Sequence, residues 1–238
     1  MLDPQWSVII NHKSVGLTVR IALSVTNTLS PAELGSTVRW ISVSFHFILA
    51  SDKKILDALE VIQTRNSAAR LSGAVEPGHL EQILKAGFRA PDHALLRPWR
   101  ILVIEGEARD RLGVLFAQTK LTHDPSLSSE ALTKVKNKPL RAPLILVVAA
   151  RLVEHPNVPE VEQILSAGAM AQNLMLAAHA LGYGSMWRTG SMTYDPLVAQ
   201  GLGFEPSEKM IGFLYVGKIE GNQKALPEHD PEHFVTRW

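Results

Sequence analysis

Three short clusters in this chain gather residue types that bind anions and polar ring edges: Arg65-Asn66-Ser67, Arg89-Ala90-Pro91-Asp92-His93 and Trp187-Arg188-Thr189-Gly190. Arginine offers a planar fork of donors, and a Ser or Thr hydroxyl adds another. The combination suits a phosphate or the polar edge of a flat heterocycle. Each cluster also has a plainer reading. Arg65 after a helix sits well against the helix dipole without binding anything, and for that cluster alone this is the preferred reading. In the second cluster Pro91 and Pro98 restrict the loop, so Arg89 and His93 are held rather than floppy. His93 is then available as a donor to a ring carbonyl; the alternative has Asp92 and His93 capping the loop and Trp99 in the core. The third cluster follows Gly182-Tyr183-Gly184, where glycines would let backbone N–H groups approach a ligand closely.

Other chemistries lack their residues. No Gly-x-x-x-x-Gly-Lys-Ser/Thr loop, no Gly-x-Gly-x-x-Gly after a strand and no Gly-x-Ser-x-Gly elbow is present, so phosphate-loop, Rossmann and hydrolase sites are unsupported. With no cysteine in the chain, disulfides, iron–sulfur clusters, thiolate zinc and cysteine nucleophiles are excluded. Glu228, His229, Glu232 and His233 resemble metal ligands, but a proline-rich polar tail is the preferred reading, because no helix would put both histidines on one face. No metal is expected.

Composition bounds the rest. The 238 residues are 46% apolar and 20% charged, with a formal net charge of +1. A filled core is possible, and the clustered Lys and Arg that a nucleic acid or acidic membrane needs are missing. The longest apolar runs, Trp40–Ala50 and Ala142–Ala150, are about half the length of a membrane helix, which takes ~20 residues. No signal-peptide layout opens the chain. A cytoplasmic protein without a membrane or nucleic-acid partner is expected.

The elements that must position the clusters become legible at Ser51. Residues 1–50 have two acids, Asp3 and Glu33, and no helical period. Trp40–Phe47 alternates like a strand, but an extension without a defined fold, or a start placed too far upstream, is the preferred reading. Ser51 or Asp52 can cap a helix with Ile55, Leu56, Leu59 and Ile62 on one face, ending near Thr64. Pro77 opens a second helix with Leu80, Ile83, Leu84 and Phe88 as its stripe. Ile101–Ile104 suits a buried strand, followed by helices over 107–119 and near Ser129–Lys136. Leu144–Ala149 is a second buried strand. Pro159–Leu181 is the clearest helix, with a small-residue interior suited to close approach of another helix or a flat ligand, and with Gly182 as its terminator. Ser185–Gly190 reads as a strand entering a turn. Asp195-Pro196 starts a short helix, and Met210–Val216 is a third strand, interrupted by Gly212.

In this order the motifs resemble those of FMN-dependent nitroreductases, in the family's compact branch. The likeness runs from about Leu56 to Trp238. It takes in the Leu59-Glu60 helix, Arg65-x-Ser67, Arg89-Ala90-Pro91-Asp92-His93 with Pro98-Trp99, Ile104-Glu105-Gly106-Glu107 and Arg141-Ala142-Pro143-Leu144-Ile145. It continues through Ser166-Ala167-Gly168-Ala169, Trp187-Arg188-Thr189-Gly190, Gly212-Phe213-Leu214-Tyr215-x-Gly217 and Phe234-Val235-Thr236. The resemblance implies an α+β fold, a central sheet flanked by helices, over 51–238, in a homodimer with two FMN sites at its interface. Arg65, Asn66 and Ser67 would contact FMN from one subunit, Arg89 and His93 from the partner, and Trp187, Arg188 and Thr189 would complete the site. Asn66 stands where the branch often has Arg, and Thr189 where Ser is common. NAD(P)H would be the hydride donor, delivering to flavin N5 before a nitroaromatic or quinone-like acceptor takes its place, in a ping-pong cycle. FMN would carry the chemistry, so no catalytic side chain is expected. Two alternatives stay open. One is a different flavin chemistry on the same fold, such as dehalogenation, with Leu121–Ser129 and Asn222–Asp230 as candidate lids. The other is a flavin-binding or redox-sensing protein without useful turnover.

Overall fold

The computed structural model describes residues 6–11, 18–23 and 57–238. The chain divides into two units, Met1–Lys54 and Ile55–Trp238. In the first, β1 (Trp6–Asn11) and β2 (Thr18–Leu23) form an antiparallel pair with Trp6 opposite Leu23. The alternating run 40–47 and the candidate caps Ser51 and Asp52 lie outside the described residues.

The second unit begins with α1 (Ala58–Thr64), capped by Asp57, whose carboxylate accepts from Glu60 N–H at 2.9 Å. Its buried residue is Val61, whereas Leu59 and Ile62 of the expected apolar face are 67% and 56% exposed. The period marks an apolar face that nothing among the described residues covers. After β3 (Leu71–Ser72), α2 (Pro77–Gly87) buries Ile83, and Phe88 ends outside the helix and exposed. β4 is Trp99–Glu105, and α3 runs from Ala108 to His123, past the expected end and into the candidate lid 121–129. α4 (Ser129–Lys136) is capped by Ser128 and followed by a 3-10 turn, Lys138–Arg141. β5 (Leu144–Arg151) leads to the long helix α5 (Glu160–Ala180). Gly182, at φ 81°, closes α5 with Tyr183 N–H bonded to Ala178 O at 2.8 Å, a Schellman ending. β6 (Gly184–Arg188), α6 (Ser191–Tyr194), α7 (Pro196–Gly201) and β7 (Glu208–Ile219) complete the unit.

The five strands are antiparallel wherever they pair. β4 pairs with β5 and β5 with β7; the far edge of β7 is shared by β6 and β3. Seven consecutive residues of β5, Leu144–Ala150, are buried. Ile145, Val147 and Ala149 face one core with Leu112, Phe116 and Phe213. Leu144, Leu146 and Val148 face another with Ile83, Met170 and Leu174. The sheet therefore has helices on both faces, and each fully buried Leu, Ile or Val contributes roughly 1.5–3 kcal/mol. Two expectations are corrected here. β4 is an edge strand in which Ile104 alone is buried and Val103 is exposed; a short apolar run does not say how many neighbours it has. Gly212 does not interrupt β7, because the ladder passes it with a shift between Val148 and Ala149 that leaves Ile211 unpaired with β5, a bulge. Among the described residues no helix is long and apolar enough to cross a membrane. The segment after β7 is exposed throughout and holds Glu228, His229, Glu232 and His233, with a single 3-10 turn at Pro231–His233.

Candidate functional site

The first and third clusters meet on β6. Arg65 ends α1, its N–H bonded to Val61 O at 3.2 Å. Two residues on, Ser67 forms a parallel bridge with Ser185, and Ala68 N–H donates to Ser185 O at 3.1 Å. Asn66 is spent on structure. Its Oδ1 accepts from Ser67 N–H at 2.8 Å, and its Nδ2 donates to Lys224 O at 2.9 Å, clipping the C-terminal segment to the cluster. Thr64 Oγ1 donates to Glu60 O at 2.5 Å, so its contact with His179 Nε2 at 2.9 Å requires His179 to donate. Burial, and next the Arg65 charge, hold His179 below the usual histidine range. From Ser185 to Arg188 is about 10 Å of strand.

Strand alternation splits the third cluster. Trp187 lies opposite Leu214 and Arg188 opposite Phe213, which belong to different cores. The two side chains thus leave opposite faces of the sheet. Trp187 Nε1 donates to Ile211 O at 3.1 Å, the carbonyl set free by the bulge. Arg188 instead enters a cavity of about 280 Å³ together with Thr189, Lys138, Arg141, Ser191 and Tyr215. Its guanidinium carbon stands 5.3 Å from the Tyr215 ring centroid. Its Nε is shut off from solvent and has no partner among the described residues, a costly condition for a donor. Burial raises the Tyr215 phenol above the usual tyrosine range against the pull of Arg188 and Arg141. Three cations line this cavity, and no carboxylate among its lining residues offsets them. A much larger groove of about 1030 Å³ lies elsewhere, past α6. Asp195, Glu205 and Glu208 outnumber Lys209 there, so it is the wrong sign for a phosphate.

The second cluster stands apart. Arg89 is exposed at the end of α2. His93 Nδ1 lies 2.7 Å from Glu162 Oε2 in the first turn of α5, whereas the Arg65 cluster hangs on His179 in its last turn. That is roughly 25 Å of helix axis. One chain thus keeps His93 and the Arg65 cluster at opposite ends of α5. The loop between the two prolines is held by Asp92, which accepts from Arg97 N–H at 2.7 Å. Within it Ala94, Leu95 and Arg97 have φ of 60°, 55° and 49°, left-handed conformations that cost a non-glycine residue roughly 1–2 kcal/mol each. Trp99 is half-buried and stacks on Phe88 with centroids 6.4 Å apart.

One correction concerns a residue singled out from sequence. Gly184 does not open the backbone to a ligand: a β-carbon there would stand 2.5 Å from Ile219 Cγ1 and 2.8 Å from Leu71 Cδ2, so the glycine serves packing. Trp187 and Arg188 do not share a face. What sequence reasoning missed is Lys138, Arg141 and Tyr215. Arg141 opens the Arg-Ala-Pro run before β5, a signal available in sequence, but only the pairing of β5 with β7 and of β7 with β6 joins it to Arg188.

Comparison with known proteins agrees with this architecture. Residues 71–218 match the family model described as "Nitroreductase family". The protein named "Putative NAD(P)H nitroreductase YdjA" from Escherichia coli (strain K12) is 39% identical over 183 residues, covering 76% of this chain and 99% of its own. Among solved structures, the nitroreductase-like family protein from Bacillus cereus superposes with a TM-score of 0.66 at 23% identity, covering 77% of this chain and 96% of that one. A variant of the FMN and NADPH-dependent nitroreductase NfnB from sphigopyxis sp. strain HMH does so at 0.63 and 17%, covering 76% and 99%. The α+β fold with its antiparallel sheet, the matched family model and a relative covered almost end to end lead to one conclusion: this chain belongs to the nitroreductase family, a family of oxidoreductases.

Proposed function

We propose that the chain is an FMN-dependent NAD(P)H oxidoreductase that works as a homodimer on nitroaromatic or quinone-like acceptors. The observation that carries the reading is the acid-free cavity in which Arg188 keeps a buried Nε without a partner beside Lys138, Arg141 and Thr189. A donor left unpaired at such a cost suits a site made for an anion or an electron-rich ring edge. The donor set therefore fits FMN, whose phosphate is dianionic and whose ring edge takes hydrogen bonds. Arg188, Thr189, Lys138 and Arg141 would hold it from one side of β6, and Arg65 and Ser67 from the strand's start. Asn66 acts through the chain it fastens, and Trp187 by bracing the strand.

The dimer has its own support. Leu59 and Ile62 on α1 and Val161 and Leu165 on α5 are all more than half exposed, and a β-carbon on Gly168 would meet nothing within 4 Å. A second copy covering these side chains would bury exposed apolar surface. It would also bring its own Arg89 and His93 to the site. FMN held there would supply hydride chemistry, and NAD(P)H and the acceptor would use one site in turn. The relatives' names, NAD(P)H nitroreductase and FMN and NADPH-dependent nitroreductase, point the same way.

The test is direct. Full-length protein mixed with FMN and desalted should stay yellow, elute as a dimer, and oxidise NADH or NADPH when a nitroaromatic or a quinone is supplied. Colourless protein refutes the flavin reading. Tight flavin with negligible turnover makes the chain a flavin-binding module instead.

A further inference from the structure

Two side chains one turn apart on α5 fasten the loop that carries His93. Glu162 Oε2 sits 2.7 Å from His93 Nδ1. Ser166 Oγ donates to Pro91 O at 2.7 Å and accepts from Trp99 Nε1 at 3.1 Å. Between these anchors lie the three left-handed residues Ala94, Leu95 and Arg97, a conformation that persists only where its surroundings impose it. The fold thus spends both bonding and backbone strain to hold one imidazole.

Hydrogen-bond chemistry then limits what that imidazole can offer. A carboxylate only accepts, so the proton of the pair lies on His93 Nδ1, and Nε2 is the nitrogen left for a ligand. In the neutral ring Nε2 presents a lone pair, and in the imidazolium it presents a donor. Among the described residues no other side chain bonds Nδ1. We infer that Glu162 is a positioning residue for His93: it fixes the Nδ1–H tautomer and the plane of the ring, so that Nε2 is what His93 offers to the flavin of the partner subunit. The inference rests on the proposed reading that His93 reaches that flavin. It sharpens the expectation of a donor at position 93, because the ring can donate there only in its charged form.

The test uses full-length, FMN-loaded protein with 15N-labelled histidine at alkaline pH, together with FMN titrations of Glu162→Ala, His93→Ala and the double variant. Glu162 is about half exposed on a helix, and alanine is a strong helix former, so the single variant should fold. The wild type should show the Nδ1–H imidazole pattern for His93, and Glu162→Ala should lose it. Each single variant should weaken FMN binding several-fold, and the double variant should bind no more weakly than His93→Ala alone. Retention of the Nδ1–H pattern in Glu162→Ala, or additive losses in the double variant, overturns the inference while leaving the flavin reading intact. If His93→Ala binds FMN as tightly as wild type while Arg65→Ala does not, the placement of His93 at the flavin falls, and the role of Glu162 with it.

Discussion

Replacing Arg188 with methionine should push stability and ligand affinity in opposite directions. The buried Nε has no partner among the described residues, a condition that costs roughly 1–3 kcal/mol where no ligand meets it. The stacking of the guanidinium on Tyr215 returns roughly 0.5–1 kcal/mol. Methionine keeps much of the length and brings no donor. The difference favours the variant by up to about 2 kcal/mol, and in a domain of this size each kcal/mol raises the melting temperature by about 2–4 °C. Flavin binding should respond the other way. A hydrogen bond from a charged group is worth roughly 1.5–3 kcal/mol, so FMN affinity should drop roughly 10- to 150-fold. Scanning calorimetry with and without FMN reads the first effect, and quenching of FMN fluorescence reads the second. The variant should also push the Tyr215 phenol higher still in an ultraviolet titration, because Arg188 is one of the charges drawing it down. Arg188→Met protein that melts lower than the parent without FMN, and binds FMN equally well, refutes the argument that this guanidinium is kept unpaired for a ligand.

Three smaller perturbations test the supports of the site. A histidine depressed on folding contributes stability that is present above its unfolded value, about 6.5, and is lost as pH falls through the folded one. His179, lowered by burial and Arg65, should behave so; His179→Gln keeps a donor for Thr64 and should flatten the acid decline seen in urea melts, and an unchanged decline would remove His179 from that account. Gly212→Ala would place a β-carbon 2.3 Å from Trp187 Nε1 and 3.0 Å from Arg188 O at a φ of 155°. A cost of roughly 1–3 kcal/mol is expected, visible as a lower denaturant midpoint; no change would mean that the bulge relaxes freely. Asn66→Ala removes the clip on Lys224, a bond worth roughly 0.5–1.5 kcal/mol. Limited proteolysis should then cut the C-terminal segment several-fold faster, and equal rates would show that the clip holds nothing.

Local chemistry made some of the molecule readable in advance. Ser128 caps α4 and Asp195 caps α7 through side-chain bonds to the first turn; such signals act over three or four residues and survive in a linear reading. The run 144–150 is apolar enough to demand burial on both faces. Longer-range facts were not legible. Whether Ile101–Ile104 is central or edge depends on which strands return beside it. Leu59 and Ile62 announce an apolar face but not what covers it. The first and third clusters join through the Ser67–Ser185 bridge, 118 positions apart in sequence, and Lys138 and Arg141 meet Arg188 only because β7 pairs with β5 on one side and β6 on the other. The linear reading put Arg65, Ser67, Arg188 and Thr189 forward as candidates, but that Trp187 and Arg188 leave opposite faces of the sheet follows only from the pairing of β6 with β7.

The two ends of α5 carry a genetic consequence. His179 bonds Thr64 beside the Arg65 cluster at one end and Glu162 bonds His93 at the other, so on the proposed composite site each subunit would contribute one half to each of two centres. Two defective alleles should then rescue each other. Mixing subunits bearing Arg65→Ala with subunits bearing His93→Ala would place both lesions in one centre and leave the second wholly wild type. At limiting FMN, co-expression of the two impaired chains should therefore raise activity in the mixed dimers, at one intact centre apiece.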